Sequence, residues 1–184
     1  MLKPQDILVV LKFLSPDIAA RQTYAALGGS LGLSASEAHA GVRRATRSGL
    51  LLPDAARPDS LPHTRPCTPA LEELLCYGLR YFLPAEDGRL ALGIPTAESA
   101  APLSSRLAVT ENPSRVWPHP GGTVRGIALE ALYPSAPDAA LRDPALGEWL
   151  ALADALRSGT GRVAGLARDE VRNRLRSFHH ATAA

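Results

Sequence analysis

The chain has 184 residues, 46% of them apolar, 21% charged and 5% aromatic, and its 20 basic and 18 acidic side chains leave a net charge of +2. That length and apolar share suit one domain or two small ones with a packed core. They exclude a wholly disordered, collagenous or membrane-spanning chain, and a chain that is a polycation throughout.

Two cysteines, Cys67 and Cys76, offer neither a metal-ligand spacing nor a disulfide framework, so a reducing cytoplasm is the expected compartment. The apolar run Ile7 to Leu14 is interrupted by Lys12 and is too short to span a bilayer or to serve as a secretion signal.

The first predicted helix runs from Pro4 to Leu14, with Ile7, Leu8, Leu11 and Leu14 inward. The next stretch, Thr23 to Leu52, is the most informative. A short helix places Tyr24, Leu27 and Leu31 on one face, and Gly32 follows where the chain must leave it through a left-handed conformation. Leu33 plugs the corner, and Ser34-Ala35-Ser36-Glu37 reads as a capping box that opens a second helix. At 100° per residue, Ala38, Val42, Ala45 and Gly49 form one small or apolar stripe. Ser36, Ala40, Arg43 and Arg47 form the opposite stripe, flanked by Arg44. Two helices joined by a tight glycine turn, one face inward and one basic face outward, form a helix-turn-helix that can enter a DNA major groove.

Leu27, Gly28, Leu31, Gly32, Leu33, Ser34, Ala38, Val42 and the exit Ser48-Gly49-Leu50-Leu51 make residues 1–52 resemble winged helix-turn-helix transcriptional regulators. The resemblance implies that Pro4–Leu14 is the family's opening helix and that the exit leads into a first wing strand. It also implies double-stranded DNA as the partner. Base edges are expected to be read by Arg43 and Arg47, with the small Ala40 permitting close approach. Arg44, Ser34 and Ser36 are expected to hold phosphate, and His39 flanks that face. The pair Gly28-Gly29 weakens the first helix of the motif. A plainly solvated basic face is the competing account of the same arginines.

Residues 53–69 hold five prolines, at 53, 58, 62, 66 and 69, which predicts an extended connector or degenerate wing and not a regular paired hairpin. Thr68-Pro69 then opens a helix over 69–82, with Leu71, Leu74, Leu75, Leu79 and Phe82 at helical spacing. Short strands are expected at Leu90–Ile94, Val116-Trp117 and Val124–Leu132, with Gly121-Gly122 as a turn. Asp143-Pro144 opens a helix carrying Leu146, Trp149, Leu150, Ala153 and Leu156, closed by Gly159-Thr160-Gly161. A last helix over about 162–178 carries Val163, Leu166, Val171, Leu175 and Phe178, and Ala181–Ala184 is expected to fray.

Other features tempt and fall short. Arg168, Arg172 and Arg176 share a face of the last helix, where they can follow phosphates, meet an acidic partner, or simply be solvated. The Gly159–Gly165 run lacks the spacing of either phosphate-binding loop and follows a helix. The five histidines form no zinc motif, and His179-His180 sits in the tail. No Gly-x-Ser-x-Gly is present, Cys76 lies in an amphipathic helix, and the pairs Glu72-Glu73 and Glu86-Asp87 fall on a helix surface and a turn. No enzyme and no cofactor is expected. Tyr81-Phe82, Trp117, Tyr133 and Trp149 belong to a core, an effector pocket or an interface.

The expected fold is therefore α+β: a winged helix-turn-helix over 1–52, a connector over 53–68, and a mixed region over 69–180 with short strands and two C-terminal helices. The expected function is sequence-specific DNA binding by a cytoplasmic dimeric repressor or autoregulator, with the 69–82 helix or the C-terminal helices joining the protomers. The competing class is a protein-interaction module, an adaptor or antitoxin-like partner, which would present an apolar patch where the basic face is expected. A small-molecule effector or protein partner would act on the C-terminal region, and a deep polar pocket between 86 and 135 would favour a ligand-binding or enzymatic second domain.

Overall fold

The computed structural model describes residues 1–57, 60–107 and 113–183, with the side chains of 179–183 left aside. Pro58 and the His179-His180 side chains thus lie outside the described residues. The fold is mixed α+β, and the chain forms two compact units, each assembled from two stretches of sequence. The first unit comprises Met1–Leu71 and Tyr133–Gly147; the second comprises Glu72–Leu132 and the chain from Glu148 onward. No helix among the described residues is long and apolar enough to cross a membrane.

In the first unit, helix α1 (Pro4–Lys12) starts at a proline, which costs nothing in a first turn whose N–H groups have no helical partner. It is buried all round, with Ile7 through Phe13 at 1% exposure or less. An amphipathic helix would have only one such face. The helix packs against α2 and α3, and at its C-terminal end the distant segment 133–147 returns to this unit, where Lys12 Nζ meets Asp143 at 2.6 Å and Asp17 at 2.8 Å. Ser15 Oγ also donates to Asp143, at 2.5 Å. A short helix α6 (Ala136–Arg142), not foreseen from the sequence, buries Ala136, Pro137, Ala139 and Ala140.

Helices α2 (Tyr24–Leu31) and α3 (Ala35–Arg47) stand where the sequence places them. After α3, β1 (Leu51–Leu52) pairs antiparallel with β2 (Arg65–Pro66), in the register Leu51↔Pro66 and Leu52↔Arg65, two residues on each side where a connector or degenerate wing is expected. Pro66 gives up one donor, but Cys67 N–H supplies the next bond, to Leu50 O at 2.9 Å. The proline-rich segment is thereby part of a looped hairpin within the first unit. The first unit takes in this pair together with residues 1–52.

The 69–82 helix, which enters the second unit at Glu72, is continuous in path but uneven in winding. Regular turns over α4 (Thr68–Glu73) and α5 (Leu79–Phe82) flank a wider π-helical turn at Leu74–Gly78. Leu75, Cys76 and Leu79 are buried, whereas Phe82 is 37% exposed. Strands β3 (Asp87–Pro95), β4 (Arg115–Pro118) and β5 (Val124–Leu129) match the expected three, with β3 longer than foreseen and β5 ending earlier.

Their topology departs from a simple hairpin. Both β4 and β5 pair antiparallel with β3, and they pair with each other in parallel at Arg115↔Ile127 and Val116↔Ala128. The three strands close on themselves, and they approach too closely at Gly93 for any side chain: a Cβ there would lie 2.1 Å from Trp117 O. Helices α7 (Pro144–Ser158) and α8 (Gly161–Ala183) follow, and α8 continues to Ala183, past the start of the stretch expected to fray; Ala184 lies outside the described residues.

Trp117 and Trp149 are core residues, at 2% and 5% exposure. Trp117 Nε1 donates to the fully buried Asp154 at 2.6 Å, alongside Thr96 Oγ1 at 2.8 Å and Arg157 Nη1 at 2.7 Å. Burial pushes the Asp154 carboxyl up from its ordinary value, against the pull of these three donors. Arg157 also donates to Leu83 O and Glu130 O, so one buried ion pair ties α7 to both ends of the strand region.

Candidate nucleic-acid interface

The turn between α2 and α3 follows from local chemistry. Thr23 caps α2 by accepting from Ala26 N–H at 3.1 Å. Gly32 takes φ +68° and ψ 31°, the left-handed conformation that a residue with a Cβ enters only at a cost. Leu33 N–H returns to Gly28 O at 2.8 Å, and the Leu33 side chain is buried at 8% exposure. Gly28 is more than a weak helix former here. A Cβ at that position would stand 2.6 Å from Leu33 O, so the missing side chain lets the turn fold back on α2.

At the start of α3, Glu37 N–H donates to Ser34 Oγ at 3.1 Å, and Ser34 N–H and Oγ donate to Glu37 Oε2 at 2.9 and 2.7 Å. The Ser34 hydroxyl holds the Glu37 carboxyl below its ordinary value. This reciprocal cap commits the Ser34 hydroxyl to Glu37, at the helix N-terminus where Ser34 is expected to help hold a phosphate.

The inner face of α3 consists of Ala38, Gly41, Val42 and Ala45, all buried. Gly49 does not extend this stripe. It lies past the helix end at φ +73°, turning the chain toward β1. The outer face carries exposed Ser36, His39, Arg43 and Arg47 around a half-buried Ala40. His39 meets Tyr24 edge-on, with ring centroids 4.7 Å apart.

Arg44 departs from its expected role. Its Nε and Nη2 bind the Asp6 carboxylate at 2.7 and 2.6 Å, and Asp6 is fully buried. The Asp6 carboxylate also accepts from Lys3 N–H at 2.8 Å, so one side chain caps α1 and ties it to α3. Charge-assisted, bidentate bonding of this kind is strong, and it holds the Arg44 guanidinium above its ordinary value. Arg44 is therefore a tie between helices, with its Nε and Nη2 committed to Asp6.

Arg43 and Arg47, by contrast, meet no carboxylate or other hydrogen-bonding partner among the described residues. With Tyr24, His39, Val42, Thr46, Pro53 and Thr64 they line a recess of about 510 Å³. Pro53 and Thr64 come from the loop between β1 and β2.

No family model matches the chain, and no curated protein or solved structure matches it either.

The other candidate surfaces lie in the second unit, and most of their charges meet partners there; Arg176, third on the α8 face, meets only the Arg172 carbonyl of its own helix at 3.4 Å. On α8, Arg168 donates to Cys76 O at 3.2 Å, and Arg172 meets Glu72 at 3.1 Å as well as the Tyr77 hydroxyl. Arg174 is shared between Glu148 at 2.6 Å and Glu170 at 2.7 Å. A second recess, of about 350 Å³, is lined by Asp87, Glu98, Arg115 and Thr160 among others. Its charges answer one another: Arg115 binds Asp87 at 2.7 and 2.9 Å and Glu98 at 2.9 Å. Among the described residues no three His, Cys, Asp or Glu side chains gather as a metal-holding group.

Proposed function

We propose that the protein binds double-stranded DNA in a sequence-specific manner through α3, as a winged helix-turn-helix regulator acting as a homodimeric repressor or autoregulator. One observation carries this reading. On a helix whose inner face is buried, Arg43 and Arg47 stand exposed on the outer face with no partner among the described residues. A guanidinium left without a carboxylate retains its bidentate donors for guanine or phosphate. The small Ala40 between them and Ser36 keeps the helix surface low enough to approach base edges. The looped hairpin β1–β2 follows α3 directly, in the chain position of a wing. An apolar outer face would have favoured a protein partner; this one is polar and basic.

Selection of bound duplexes from a random library by the purified protein tests the reading. The expected result is enrichment of one motif, arranged as an inverted repeat if two protomers bind together. Recovery of the unselected pool would overturn it. Sedimentation equilibrium tests the homodimer separately, and a monomer at every working concentration would remove that part alone.

A further inference from the structure

The return of residues 133–147 to the first unit places a further cation beside the turn that precedes α3. Ser135 Oγ donates to Leu31 O at 2.5 Å, directly before Gly32. The space a Gly32 side chain would need is taken by Ser135 Cβ at 2.9 Å, and an Nη of Arg142 lies 3.9 Å from the same point. Arg142 is the last residue of α6; it is exposed and has no hydrogen-bonding or ionic partner among the described residues. The backbone beneath it is fixed. The neighbouring Asp143 is clamped by Lys12 and Ser15, and it caps α7 through Leu146 N–H at 3.1 Å. An unpaired guanidinium on a fixed backbone, beside the α2–α3 turn, has the chemistry of a phosphate contact.

We infer that Arg142 binds a backbone phosphate of the same duplex whose bases α3 reads, so that a residue about a hundred positions away in sequence completes the DNA-binding surface. This inference rests on the DNA-binding reading above. A phosphate contact carries no sequence information. Its loss therefore weakens binding to all duplexes alike and removes one released counterion from the salt dependence.

The test measures affinity against salt for the selected duplex and for random-sequence duplexes, using the full chain and the variants Arg142→Ala, Arg142→Lys, Arg125→Ala and Arg43→Ala. Arg125, exposed on β5 of the second unit and equally without a partner among the described residues, controls for a general loss of charge. For Arg142→Ala the salt slope is expected to fall by about one and affinity by about tenfold near 0.1 M salt, equally for both duplexes. Arg142→Lys should restore most of the slope, and Arg125→Ala should leave it unchanged. Thermal unfolding should be the same for Arg142→Ala and the parent, because the side chain has no partner to lose. If Arg43→Ala weakens binding while Arg142→Ala matches the parent, this inference fails and the DNA-binding reading stands. An equal loss of slope in Arg125→Ala overturns it as well. If no duplex is bound by the parent chain, both fall together.

Discussion

Arginines stand in rows on two helices, and their surroundings differ. On α3, Arg43 and Arg47 are exposed and meet no partner among the described residues. On α8, Arg168 and Arg172 reach a carbonyl and a carboxylate of their own unit and neighbouring Arg174 reaches two carboxylates, while Arg176 meets only the Arg172 carbonyl of its own helix. Both rows look alike in sequence. The difference lies in which acidic side chains the fold brings within reach: Glu72 and Glu148 beside α8, and Asp6 beside α3, where it captures Arg44 alone. A helical row of guanidinium groups therefore indicates a binding surface only after its internal partners have been subtracted.

The largest expected effect concerns the buried end of this contrast, where the second unit's arginines serve its own structure. Asp154→Ala strands the Arg157 guanidinium, the Trp117 indole N–H and the Thr96 hydroxyl in a buried site. It should cost about 3–5 kcal/mol, read as a lower urea midpoint. An unchanged midpoint would show that this pair is not what joins α7 to the strands.

On the outward side, Arg43→Ala or Arg47→Ala should each cost about 1–3 kcal/mol of duplex affinity and relax preference at one base position. Arg172→Ala should leave duplex binding as it was, since its partners lie within its own unit. Equal losses from Arg172→Ala and Arg43→Ala in a titration would erase the distinction between the two rows.

Gly32→Ala sharpens the comparison from the backbone. A left-handed alanine costs roughly 1–2 kcal/mol. Its Cβ would also press on Ser135, so the melting temperature should fall and duplex binding should weaken with it. A melting temperature equal to the parent's would mean that the turn has another way to close.

The smallest effect is a pH dependence in the first unit. Hydrogen bonding from Lys12 holds Asp17 below the ordinary aspartate value of 3.8. Burial pushes Asp143 upward, but donors from Lys12, Ser15 and Leu146 outweigh it and leave that carboxyl lowered as well. Groups with lowered values contribute stability that is complete above the unfolded value and is lost as pH falls through the folded one. Urea midpoints followed downward from neutral pH should therefore drop below about pH 4, and Lys12→Met should flatten that limb. Identical acid limbs in the two proteins would count against the Lys12 clamp.

The elements legible in the sequence are those set by neighbours along the chain. The Gly32 turn, the Ser34–Glu37 box, the α2 and α3 boundaries, the three strands and the Pro144 helix start all depend on residues a few positions apart. In the candidate site, the outward Arg43 and Arg47 followed from the 100° periodicity alone. Arg44 did not, because its fate turns on Asp6, 38 residues away, and nothing in the spacing distinguishes it from Arg43. The proline count leaves a connector and a degenerate wing open, because it says where donors are lacking and not which remaining donor closes the ladder.

By itself, the sequence determined caps, turns and the division of α3 into a small inner face and a basic outer one, since those follow from backbone geometry over one or two helical turns. Only the tertiary structure decided that residues 133–147 rejoin the first unit, that α1 is covered on every side, and which arginines remain without partners. Those outcomes depend on charges and apolar faces meeting across many residues of intervening chain, and no local rule fixes which of several equivalent side chains finds its partner first.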